Sequence, residues 1–127
     1  MGGSAYHRLW LPWRLPGLNE IIGAAKGCGG RGLGYSTMKS KTTQDIAWQI
    51  KAARIPPLKA ARFKFTWAEP SRQRDKDNIA AGRKFIMDAF KLVKVWGNDG
   101  WKQVIGWSDE FQVSDKPGVL VEIFPEE

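Results

Sequence analysis

From Ala60 to Ala68 the sequence AARFKFTWA alternates without a break, with Phe63, Phe65 and Trp67 on one face and Arg62, Lys64 and Thr66 on the other. A period of two marks a strand with one buried face, and the aromatic side is expected to pack beneath helices. Upstream, residues 5–13 read as a first strand that ends at Pro12-Trp13, and Pro16-Gly17 then breaks the chain. A short helical stretch opens at Leu18-Asn19-Glu20. Residues 36–54 predict a second helix, capped by Ser36 or Thr37, with Met38, Ile46, Trp48 and Ile50 as its apolar contacts and Pro56-Pro57 beyond its end.

From about Lys76 to Lys94 the period becomes helical again. At about 100° per residue, Ile79, Gly82, Ile86, Ala89, Phe90 and Val93 share one face, while Asp77, Ala81, Lys84, Asp88 and Lys91 share the other. Two further strands follow, roughly 103–113 and 119–124, and the turn sequence Ser-Asp-Lys-Pro-Gly between them predicts a hairpin. The order β-α-α-β-α-β-β predicts an α+β fold. It should be a single domain over residues 1–127, a mixed β-sheet of about four strands with helices packed on one face.

Charge alters this picture more than composition does. The chain has 127 residues, a net charge of +7 and a pI near 9.8. Residues 1–64 hold eleven Lys and Arg against two acids, whereas residues 65–127 hold nine against eleven. A basic first half suits a polyanion, and a carboxylate-rich second half suits a divalent cation. No apolar run approaches the roughly 20 residues of a membrane helix, and the opening residues lack a signal peptide's apolar core, so no membrane partner and a cytoplasmic location are expected. One cysteine, Cys28, and one histidine, His7, exclude an internal disulfide and a Cys/His zinc site, which leaves oxygen ligands for any metal.

The segment Gly27–Gly34 is expected to form a mobile basic loop. It contains G-x-G-x-x-G at Gly27, Gly29 and Gly32, but between two helical segments rather than between a strand and its helix. No nucleotide cofactor is therefore expected.

Two carboxylates, Asp75 and Asp77, stand two residues apart where a strand passes through a loop into a helix. They can converge on one cation, and a helix N-terminus helps keep them ionised, although aspartates at helix starts also serve simply as caps. A third carboxylate, Asp99, lies in the turn Trp96-Gly-Asn-Asp-Gly100, where aspartate is also an ordinary turn residue. A helix of about 18 residues would hold Asp99 roughly 27 Å from the other two, unless the turn folds back, the helix is shorter, or a second subunit supplies the missing region.

These segments, taken in order, are Leu11-Pro12-Trp13, Leu18-Asn19-Glu20, Arg74-Asp75-Lys76-Asp77-Asn78, Met87-Asp88-Ala89-Phe90 and Val95-Trp96-Gly97-Asn98-Asp99. Their set resembles the RusA family of Holliday junction resolvases, small dimeric endonucleases of bacteria and their phages. The resemblance implies a Mg²⁺-dependent phosphodiesterase, with Mn²⁺ able to substitute. It places the catalytic, metal-binding aspartates on Asp75, Asp77 and Asp99. The family's catalytic lysine maps best on Lys84, which shares Asp77's helical face, with Arg83 as the lesser choice. The partners implied are a four-way DNA junction and a second subunit in a homodimer, whose twofold axis would produce paired symmetric nicks. The basic residues Arg14, Lys26, Arg31, Lys39 and Lys41 are expected to meet DNA phosphates, and Arg72, Arg74 and Lys76 to bring the backbone to the metal site. The competing readings are a metal nuclease for flaps or simple duplex, and a noncatalytic nucleic-acid binder that uses the Phe63, Phe65 and Trp67 face for stacking.

Overall fold

The alternating strand is the spine of the fold. In a computed structural model that describes residues 6–30, 33–96 and 100–126, the strands are β1 (His7–Leu11), β2 (Ala60–Glu69), β3 (Val104–Val113) and β4 (Gly118–Glu126). They form one mixed sheet in the order β1-β4-β2-β3, in which β3 runs parallel to β2 while β4 runs antiparallel to both β1 and β2. The helices are α1 (Leu18–Gly30), α2 (Leu33–Ala52), α3 (Lys76–Ala80) and α4 (Arg83–Leu92). The expected single α+β domain with a four-stranded mixed sheet is what the chain forms.

One sheet face is dry. Leu9 and Leu11 of β1, Val119, Val121 and Ile123 of β4, and Phe63, Phe65 and Trp67 of β2 fall on the same side by register and are all buried. The aromatic face of β2 is thus core and cannot serve as an exposed stacking platform. Ile46, Ala47 and Ile50 of α2 and Phe85, Ile86, Ala89 and Phe90 of α4 cover it. The opposite face carries cross-strand charge pairs such as Lys64 with Glu110 and Arg62 with Glu126.

Four local expectations are corrected. First, β3 and β4 do not pair as a hairpin, because β2 lies between them. Residues 114–117 step across the end of β2, marked by the Ser114 N–H donating to the Glu69 carbonyl at 2.8 Å. Two inter-strand spacings are about 10 Å, within reach of a four-residue link, so a turn sequence fixes the reversal and not the neighbour.

Second, the long helix is two pieces. Gly82 N–H bonds Ile79 O, and Phe85 N–H bonds Gly82 O, a tighter three-residue step. A Cβ on Gly82 would stand 2.9 Å from Leu15 Cβ and 3.4 Å from the Trp67 ring, so the helix rests on the core through this glycine. Phe85, which the helical wheel left off the apolar face, is fully buried.

Third, the glycine segment is not a loop throughout, since α1 runs to Gly30 and α2 begins at Leu33. Gly34 lets the two helices meet, with its Cβ position only 2.7 Å from the Ala24 carbonyl oxygen. Close helix packing overrides the poor helix propensity of glycine. Fourth, Trp48 is 69% exposed rather than an apolar contact, and Lys51 lies over its ring.

Candidate metal and nucleic-acid site

Because β2 and β3 are parallel, their C-terminal ends lie together, the edge of an α/β unit where ligands generally bind. An open cleft of about 830 Å³ occupies this edge. Glu69 from β2, Phe111 and Val113 from β3, and Asp75, Lys76 and Asp77 from the turn into α3 line it, among others.

The segment Arg74–Asn78 divides its side chains between inside and outside. Arg74 is turned inward: its guanidinium donates to Glu20 Oε1 and the Leu15 carbonyl at 3.3 Å, and to both Glu69 oxygens at 3.5 Å. Asn78 Oδ1 accepts the Asn19 N–H at 3.0 Å, at the start of α1. Asp75 and Asp77, between them, are exposed on the cleft. Two motifs that are 54 residues apart in sequence, Leu18-Asn19-Glu20 and Arg74–Asn78, therefore meet, and their bonds hold the turn that presents the aspartates.

The donor set fits Mg²⁺. That ion commonly takes one or two carboxylates and completes its octahedron with water and phosphate oxygens. Asp75, extended at φ −67° and ψ 153°, makes no side-chain hydrogen bond among the described residues. Asp77 accepts the Asn78 N–H at 2.9 Å through Oδ1, leaving Oδ2 uncommitted. With α3 only five residues long, the expected contribution of a long helix's dipole shrinks to that of little more than one turn.

Asp99 lies outside the described residues, and so does Arg31. Trp96 and Gly100, which flank the segment holding Asp99, stand at the opposite end of the β2–β3 pair. Trp96 packs on Phe63, and the Gly100 carbonyl accepts the Val104 N–H. From that end to Glu69 is about 26 Å along the strand. Among the described residues no three Asp, Glu, His or Cys side chains cluster closely enough to enclose a metal ion.

The expected cations are distributed unevenly. Lys76 lies over the Phe111 ring and Arg72 lines the cleft. Arg14 bonds Glu69 at 2.7 Å, so both it and Arg74 are engaged in holding the fold's edge. Lys39 pairs with Asp88 and Lys41 with Asp45, both on or beside α2, and Lys26 is exposed near the end of α1. Lys84 lies 3.5 Å from Asp88 and lines a different depression from Asp75.

Two carboxylates were missed by the sequence reading. Glu69 continues the alternation of Phe63, Phe65 and Trp67 and is only 6% exposed, so the pattern itself marked it as an inward acid. Asp109 accepts the Trp67 Nε1–H at 2.9 Å and pairs with Arg83, and it shares a depression with Asp77. Only the parallel pairing of β3 with β2 brings it there. No helix among the described residues is long and apolar enough to cross a membrane. Comparison with known proteins finds no family model and no curated sequence that match this chain.

Proposed function

We propose that the chain is a Mg²⁺-dependent endodeoxyribonuclease of branched DNA, with four-way junctions as its main substrate, acting in the cytoplasm as a homodimer. The observation that carries this reading is the pair of exposed carboxylates, Asp75 and Asp77, of which only Asp77 Oδ1 accepts a hydrogen bond among the described residues, on the rim of the 830 Å³ cleft at the carboxyl ends of β2 and β3.

Asp75 and Asp77 would hold the ion. Bound there, Mg²⁺ supplies a Lewis acid for the scissile phosphate and lowers the pKa of a coordinated water. Lys76 and Arg72 on the same cleft draw the DNA backbone to the carboxylates. Arg14, Arg74 and Glu69 keep the turn in place, acting through position rather than contact. Lys84, on the following helix, serves a phosphate farther along the strand. Asp99 is the third carboxylate in this proposal. Its chain neighbours stand at the far end of β3, which favours a site that combines Asp75 and Asp77 of one subunit with Asp99 of the other.

Cleavage of a synthetic four-way junction tests the reading. Asp75→Asn and Asp77→Asn each lower the rate by at least about 100-fold, the loss that even supporting partners of a metal ligand can cause, while junction binding in EDTA persists. Undiminished cleavage by either variant overturns the assignment. Mixing inactive Asp75→Asn subunits with inactive Asp99→Asn subunits regenerates one intact shared site and part of the activity. No recovery means that each subunit carries its own complete site.

A further inference from the structure

The cleft does not stop at Asp77. Lys76, Asp77 and Phe111 also line a second depression of about 410 Å³, and its Ala80, Ala81 and Arg83 line a third of about 300 Å³ that reaches Lys84 and Trp107. Sharing these residues, the three follow one another as a groove along the seam between α3–α4 and the helix-facing side of β3, with Arg83 reaching across it to Asp109. From Val113 to Trp107 the groove floor runs about 20 Å.

The walls have a consistent chemistry. Ala80 and Ala81 keep one side low. Cations follow in series, Lys76, Arg83 and Lys84, and aromatic rings line the β3 side at Phe111 and Trp107. Each ring carries a cation, Lys76 at 5.6 Å from the Phe111 centroid and Arg83 at 4.8 Å from that of Trp107. Arg83 is fixed in turn by Asp109, whose other oxygen accepts the Trp67 N–H. Trp107 is nevertheless 54% exposed, a large apolar surface held in one orientation and left open to solvent.

We infer that this groove binds an unpaired DNA strand, with a base stacked on Trp107 and phosphates met by Lys76 and Lys84, leading that strand to Asp75 and Asp77. Alternating cations and aromatic faces suit single-stranded nucleic acid, because every base has a π-face and every linkage a charge. An apolar peptide would make no use of the exposed charges of Lys76 and Lys84, and a rigid duplex could not lower a base onto the indole. The link to cleavage rests on the nuclease reading above, and it selects DNA with unpaired nucleotides beside the scissile phosphate. Binding to the groove does not depend on that reading.

The test is fluorescence anisotropy in EDTA with a labelled oligothymidylate and a perfectly paired duplex of equal length. Trp107→Ala weakens the oligothymidylate by roughly tenfold, within the range of one lost base stack, and leaves the duplex within about twofold. Trp107→Phe keeps most of the affinity. Ala81→Phe, which narrows the groove from the helix side and leaves the β3 residues unsubstituted, also weakens the single strand selectively and keeps the inference testable if Trp107→Ala does not fold. Wild-type single-strand affinity in Trp107→Ala or Ala81→Phe overturns the inference, as does equal loss for single strand and duplex. Tighter binding of oligouridylate or of an acidic peptide overturns the choice of DNA. Because these affinities are read in EDTA without cleavage, and the nuclease reading is tested by cleavage in Mg²⁺, failure of that reading and failure of the groove are separately visible.

Discussion

The two ends of the β2–β3 pair are built from opposite materials. At the end near Ala61, Phe63, Phe90 and Trp96 form an aromatic trio with centroids 5.5–5.7 Å apart, all buried. At the end near Glu69 the contacts are ionic: Arg14 and Arg74 converge on one buried carboxylate, and Glu20 and Asn78 extend the network to α1. Apolar burial is non-directional and stabilises strongly. A buried ion network adds less net stability, because desolvation offsets much of the attraction, but its bonds are directional. The first end holds the protein folded, and the second holds a turn in one shape so that Asp75 and Asp77 face outward.

Truncation at the aromatic end should give the largest effect. Phe63→Ala costs about 3–5 kcal/mol in chemical denaturation, because it removes a ring that touches Phe65, Phe90 and Trp96. A cost below that of the next variant would reverse the roles assigned to the two ends. Glu69→Gln keeps volume but removes the charge shared by Arg14 and Arg74, and should cost about 1.5–3 kcal/mol. Its sharper signature is functional: junction cleavage falls under conditions where circular dichroism shows the variant fully folded. Normal cleavage by Glu69→Gln would mean that the network does not position the aspartates.

Gly82→Ala probes the contact between these regions. Overpacking against Leu15 costs about 1–3 kcal/mol, and the gain in helix propensity returns up to about 1 kcal/mol. A thermal melt should therefore show a modest net loss. A rise in melting temperature would show that Leu15 yields and that the break between α3 and α4 is not imposed by packing.

Much of this was readable in the residues. The alternation of β2 identified its buried face and, carried one step farther, marked Glu69 as an inward acid. The helical period placed Ile79, Ile86, Ala89 and Phe90 in the core correctly. The Arg74–Asn78 segment stood out as polar chemistry at a strand-to-helix junction, but its division into structural and exposed residues did not, because Arg74 and Asn78 find partners more than 50 residues away. The groove to Trp107 was also hidden, since it exists only because β3 joins the free edge of β2.

Local sequence by itself determined the four strands, the period of the buried face of β2 and the segment that carries Asp75 and Asp77, since these follow from side-chain spacing and backbone preference within a few residues. Tertiary structure alone decided the neighbour of β3, the break at Gly82, the continuation of α1 through glycines and the meeting of Glu20 with Arg74. Each of these depends on contacts between distant segments, where close packing and buried charge outweigh local propensity.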